Sequence, residues 1–231
     1  MKRSRLLASG AFVLTALIVA SNPGGRPALA AACKAPATEW RVTGHPGQVN
    51  VLHSLPSAKL PDKIRKTKGG FRAGLTAARF THRIDLTVEN LPRQPGCYRL
   101  AKVSIQYGIQ SPIRVLIASE LVEGSCPYQV TLDHEFRHVE IARNGLRRMV
   151  DSARKELPEL VGSTAIRAPS LDRAKRIFDD TIIRIAGDAA RRFADEAKRQ
   201  HRLIDTPEAY RQEQAKCPIS DWNHPFRKAR K

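Results

Sequence analysis

Aromatic side chains make up only 6% of this 231-residue chain, and acidic residues are scarce, 22 against 40 Lys and Arg. Few aromatics exclude a nucleic-acid module built on base-stacking rings, so no nucleic-acid partner is expected. The formal charge of +18 is left to a solvated basic face or to an anionic partner such as lipopolysaccharide, teichoic acid or an acidic peptide. No internal repeat is visible, which excludes a solenoid. Beyond residue 20 no apolar run approaches bilayer length.

The one apolar run, Leu6 to Ala20, follows Lys2, Arg3 and Arg5 and precedes Pro23, Gly24, Gly25, Arg26 and Pro27, with small residues at Ala28 and Ala30. It is shorter than the ~20 residues of a membrane-spanning helix, so residues 1–30 read as a secretory signal peptide cleaved near Ala30. Ala30-Ala31-Ala32-Cys33 also resembles a lipoprotein acceptor site, but the Pro/Gly/Arg stretch separates it from the apolar run, which favours Cys33 as a disulfide partner. Losing the leader removes four basic residues and no acidic one, taking +18 to +14. A periplasmic or secreted protein with no transmembrane segment is expected.

The exported chain keeps Cys33, Cys97, Cys126 and Cys217, an even set with three conceivable pairings. An oxidising compartment favours two disulfides. Cys33 with Cys97 and Cys126 with Cys217 is the expected pairing, since the second bridge would tie the approach to the motif described below to the C-terminal segment.

The remaining chain, about 200 residues, suffices for one domain with a real core. Residues 31–70, rich in Pro, Gly and Lys, read as an irregular lead-in with one strand near Val49-Asn50-Val51-Leu52. Residues 71–220 read as the folded domain and 221–231 as a basic tail. Phe80, His82, Ile84, Leu86 and Val88 alternate with polar residues, as do Val103, Ile105 and Tyr107, and then Ile113, Val115 and Ile117. This period of two predicts three strands, and short turns between them predict an antiparallel sheet. A further strand is expected at Tyr128 to Leu132, leading into a helix with apolar positions at Phe136, Val139, Leu146 and Val150. Pro158, Gly162 and Pro169 interrupt that pattern. A second helix is predicted from Ser170 to Leu203, its inner face carrying Ala174, Ile177, Thr181, Ile185, Ala189, Phe193 and Ala197. Thr206 and Pro207 open a third as cap and first residue. Strands before helices give an α+β class.

His134-Glu135-Phe136-Arg137-His138 is an HExxH sequence. Residues four apart share a helix face, so two imidazoles can reach one zinc ion at ~2.0 Å with the intervening glutamate beside it. Zinc held this way brings the pKa of a water to about 7, and Glu135 can act as general base, passing the proton to a departing amine. Two surface histidines paired with Glu135 and Glu140 are the plainer alternative. A third ligand is required. The longer metzincin pattern would need a glycine at 141 and a histidine at 144, where Ile141 and Asn144 stand. His201 is the favoured candidate because it continues the Ala189, Phe193, Ala197 line. Asp205 and Glu208 come next. Glu156 lies eighteen residues past His138, but Pro158 casts doubt on a helix there. His45, His53, His82 and His224 show no ligand spacing, and disulfide formation competes for the thiols.

These residues resemble a bacterial family of exported zinc-dependent proteases that share HExxH in a domain of unknown function. The likeness runs from Cys97 to Cys217 and rests on PGCYRLAKVSIQYGIQSPIRVLIASEL, VTLDHEFRHVEIARNGL and IDTPEAYRQEQAKC. It implies a zincin-like α+β fold, one zinc and peptidase chemistry, with His134, His138 and Glu135 matching residue by residue. Near the end, where the family pattern has a histidine soon after a Tyr-Asp pair, this chain has Ile204-Asp205 ahead of Tyr210, which leaves the third ligand open. The expected function is a zinc peptidase acting on peptides or proteins of the cell envelope. The alternative is a non-catalytic, metal-stabilised protein that binds anionic envelope polymers.

Overall fold

The computed structural model describes residues 33–60, 73–162 and 164–222. The signal peptide read at 1–30, His224 and most of the tail lie outside the described residues. In chain order the described elements are β1 (Glu39–His45), β2 (Val49–Leu55), β3 (Gly74–Ala77), β4 (Phe80–Asn90), β5 (Cys97–Ile109), β6 (Ile113–Ala118), α1 (Cys126–Val161), β7 (Ala165–Arg167), α2 (Leu171–Ile204) and α3 (Pro207–Gln214).

The fold is α+β, but its sheets are mixed rather than antiparallel. One sheet runs β1-β5-β4, with β7 against the start of β5, and the other runs β2-β6-β3. β4 and β5 are antiparallel; β1 lies parallel to β5 and β2 parallel to β6. The parallel pairs arise because two bent arms run side by side. β1 turns into β2 at Gly47, which adopts a φ of 72°, and β5 turns into β6 at residues 110–112. Ile113 N–H donates to Gln48 O at 2.7 Å across the two bends. The stretch read as a lead-in thus supplies two strands, not one.

The segment expected as a strand before the motif is already helix. Tyr128, Val130 and Thr131 favour strands in isolation. However, Ser125 caps the helix by accepting from Tyr128 N–H at 3.4 Å, and Pro127 sits in the first turn, where its missing N–H costs nothing. Burial of Tyr128 and Thr131 then fixes the helical face. At the other end α1 passes through Pro158 to Val161. So close to the terminus the proline removes a single backbone bond, and buried Leu157 holds the turn in place.

α2 is capped by Ser170, which accepts from Arg173 N–H at 3.2 Å. Its buried line is Ala174, Phe178, Ile182, Ala186, Ala189 and Ala197. The expected Ile177, Thr181 and Ile185 flank this line half-buried, because steps of four drift off a face whose period is 3.6. α3 begins as expected, with Thr206 accepting from Ala209 N–H at 3.1 Å and Pro207 following. β5, β6, α1 and α2 enclose the main core around Leu100, Val103, Ile105, Ile117, Val139, Leu146 and Ile182. Both disulfides form in the expected pairing, Cys33 to Cys97 and Cys126 to Cys217.

Candidate metal centre

His134 and His138 project from one face of α1 toward the place where α2 ends, and both are buried. Asp205 is the residue at which α2 stops, its N–H still donating to His201 O at 3.1 Å. This termination turns the Asp205 carboxylate back onto α1. His134 Nε2 lies 3.1 Å from His138 Nε2, and Asp205 Oδ1 lies 3.2 Å from the first and 3.1 Å from the second. The three atoms form a nearly equilateral triangle that could hold a metal ion.

The outer ring nitrogens decide where the imidazole protons sit. His134 Nδ1 is 2.9 Å from Glu213 Oε2, and a carboxylate can only accept, so Nδ1 carries the proton and Nε2 presents its lone pair inward. The Arg137 guanidinium also lies 3.0 Å from Nδ1, but it is held there by its ion pair with Glu213 Oε1. His138 Nδ1 meets His201 Nδ1 at 2.8 Å. Burial, aided by the nearby His138, pushes the His201 pKa down to about 4, so His201 is neutral and able to accept from His138. Both Nε2 atoms therefore converge with Asp205 Oδ1 as electron-pair donors. Burial works against ionised Asp205, yet its contacts with His134 and His138 and a 2.8 Å hydrogen bond from Tyr210 hold the carboxyl well below its usual range. With that carboxylate ionised, the three groups could hold a metal ion.

Glu135 lies between α1 and β3, buried. Thr76 Oγ1 is 2.7 Å from Glu135 Oε2 and 3.0 Å from Glu135 O; its one proton serves the nearer carboxylate oxygen. Burial raises the Glu135 pKa, while His138, the Thr76 hydrogen bond and His134 pull the other way. Opposite stands Gly74, where a Cβ would come within 2.7 Å of Glu135 Oε1, so the carboxylate fits only because β3 has no side chain at that point.

The structure brings together His134, His138 and Asp205. His201 stays close, but touches the edge of His138 that faces away from the triangle. Glu156 and Glu208 do not join: Glu156 lies against Ser152 and Arg192, and exposed Glu208 pairs with Arg211 at 2.6 Å. His53 contacts Ala118 O at 3.1 Å and the edge of Tyr128, and His82 lies tilted against Tyr107. Sequence reasoning missed Glu213, Arg137 and Thr76, together with Tyr210, whose ring lies 4.9 Å from that of His134. One signal was within reach. The Cys126 to Cys217 pairing places α3, with Glu213, beside the start of α1.

No family model, characterised protein or solved structure matches this chain. The chemistry of the centre is therefore read from its own atoms.

Proposed function

We propose that the chain is an exported zinc-dependent peptidase with His134, His138 and Asp205 as ligands and Glu135 as general base. The supporting observation is the triangle of edges 3.1, 3.1 and 3.2 Å. A tetrahedral zinc with bonds of ~2.0 Å spaces its ligand atoms by roughly 3.3 Å, and three protein ligands leave the fourth position for solvent or substrate. Zinc bound there would supply Lewis acidity and acidify a water. Glu135, one residue from a ligand on the same helix, would take a proton from that water and hand it to the leaving amine. Burial raises its pKa, which makes the ionised carboxylate a stronger base.

An extended peptide has a place to lie. β3 is an edge strand among the described residues, paired only with β6, and it carries the Gly74 and Thr76 that touch Glu135. Main-chain pairing along that edge would orient a peptide carbonyl toward the centre. The zincin-like family resemblance points the same way. Two disulfides, with no helix among the described residues long and apolar enough to cross a membrane, are compatible with a location outside the cytoplasm.

The burial of Glu135, only 4% exposed, favours a second reading, a metal-stabilised envelope protein without turnover that binds anionic polymers. Elemental analysis and a peptide-library digest separate the two. The peptidase reading expects about one zinc per chain, and a Glu135→Gln variant that keeps its metal but loses hydrolysis by roughly 10²- to 10⁴-fold. Undiminished cleavage by Glu135→Gln removes Glu135 as base. Zinc without cleavage of any peptide, together with salt-sensitive polymer binding, selects the second reading.

A further inference from the structure

We propose that Glu213 is the positioning residue of the metal centre and that the Cys126–Cys217 disulfide makes the centre's full affinity conditional on oxidation. This rests on the metal-site reading above.

α3 has one buried residue, Glu213, so no buried apolar side chain anchors α3 to α1. Among the described residues its attachments include polar contacts, one ring contact and a covalent bond. Glu213 contacts His134 Nδ1 at 2.9 Å and pairs with Arg137; Tyr210 stacks on His134 and donates to Asp205; Cys217 is bonded to Cys126. The covalent tie brackets the polar one. Cys126 opens α1 roughly two turns before His134, and Cys217 follows Glu213 by roughly one turn. With the bridge closed, Glu213 has little freedom to leave the His134 ring, and the proton on Nδ1 is fixed there. With it open, α3 depends on the buried Glu213–His134 contact and on two that water can reach, Glu213 with Arg137, whose side chain is 47% exposed, and Tyr210 with Asp205.

Asp205 belongs to the end of α2, not to α3, so reduction loosens the support of two ligands, Glu213 on His134 and Tyr210 on Asp205, and leaves the ligand set in place. The expected consequence is weaker binding, not its abolition. Loss of such an outer partner typically costs 10- to 100-fold in metal affinity. In a reducing cytoplasm the chain would then hold metal poorly, and it would gain full affinity once oxidised after export. The Cys33–Cys97 bridge serves as an internal control, because it joins the N-terminal segment to β5 and touches no residue of the centre.

The test is competition of Zn²⁺ against a chromophoric chelator at fixed pH. It compares the oxidised chain, the Cys126→Ser/Cys217→Ser and Cys33→Ser/Cys97→Ser double variants, and Glu213→Gln, with folding checked by circular dichroism. Removing the Cys126–Cys217 bridge, or substituting Glu213, should weaken zinc 10- to 100-fold, while removing the other bridge should leave it unchanged. Should the Cys126/Cys217 variant fail to fold, Glu213→Gln decides on the same scale. Wild-type affinity in Glu213→Gln, or in a folded Cys126/Cys217 variant, overturns this proposal and leaves the metal reading standing. An oxidised wild type that binds no zinc removes both.

Discussion

His201 and Asp205 share the end of α2 and meet His138 from opposite sides. His201 accepts from Nδ1, on the ring edge away from the triangle, whereas Asp205 Oδ1 lies 3.1 Å from Nε2. Their alanine variants should therefore differ. On the proposed zinc reading, Asp205→Ala removes a ligand and should abolish stoichiometric zinc in elemental analysis, while His201→Ala removes only the group that orients His138 and should weaken zinc 10- to 100-fold. Equal losses would make His201 a ligand. The motif itself was legible, because HExxH spacing is a local property of one helical turn. The third ligand was legible only as a short list. The inward line along α2 pointed to His201; Thr206 and Pro207 marked a break near Asp205, but nothing in the sequence shows that its carboxylate faces α1. Glu213 and Thr76, 79 and 59 residues from their partners, leave no local pattern at all.

β3 contributes more to the centre than its four residues suggest. A Cβ at position 74 would come within 2.7 Å of Glu135 Oε1, 2.8 Å of Glu135 Cγ and 2.9 Å of Thr131 Cγ2. Gly74→Ala should displace the carboxylate, lower the hydrolytic rate if the proposed peptidase reading holds, and destabilise the fold by about 1–3 kcal/mol, the usual cost of overpacking. A denaturant midpoint shift at unchanged slope would measure it, and a variant with full activity and wild-type midpoint would show that the strand yields freely. Gly-Leu-Thr-Ala is too short and too weakly patterned to be read as a strand beforehand. The cap residues were more informative: Thr206 and Pro207 marked the start of α3 correctly. Ser125 and Pro127 carry the same kind of signal for α1, but the β-favouring side chains at Tyr128 and Val130 concealed it.

For the molecule as a whole, β4 and β5 were readable because alternation and a short turn suffice for an antiparallel pair. The parallel pairs were not, since Trp40 meets Val103 and Val51 meets Val115, over distances in sequence that no turn announces. The same long-range packing buries Tyr107 completely, with its hydroxyl donating to Ala186 O at 3.4 Å. Burial pushes its pKa up from 10.0 to about 12, the charge of Arg192 opposing. Between those values the unfolded chain loses this proton and the folded chain keeps it. The contribution to stability is therefore whole below pH 10 and declines as pH rises toward 12, by up to about 3 kcal/mol. Thermal unfolding of wild type and Tyr107→Phe across that interval should show a steeper alkaline fall for wild type; parallel curves would mean that Tyr107 ionises without resistance.

The order in which the centre's parts occur along the chain has its own consequence. Synthesis delivers both imidazoles and Glu135 well before the stretch from Asp205 to Cys217. A nascent polypeptide halted in between would own the complete HExxH turn yet lack the carboxylate that closes the triangle, so on the proposed reading a metal could be held by all three groups only at the last stage of the protein's making. Trimming from the C-terminal side past Asp205 would return a finished molecule to that incomplete condition while sparing all seven described strands.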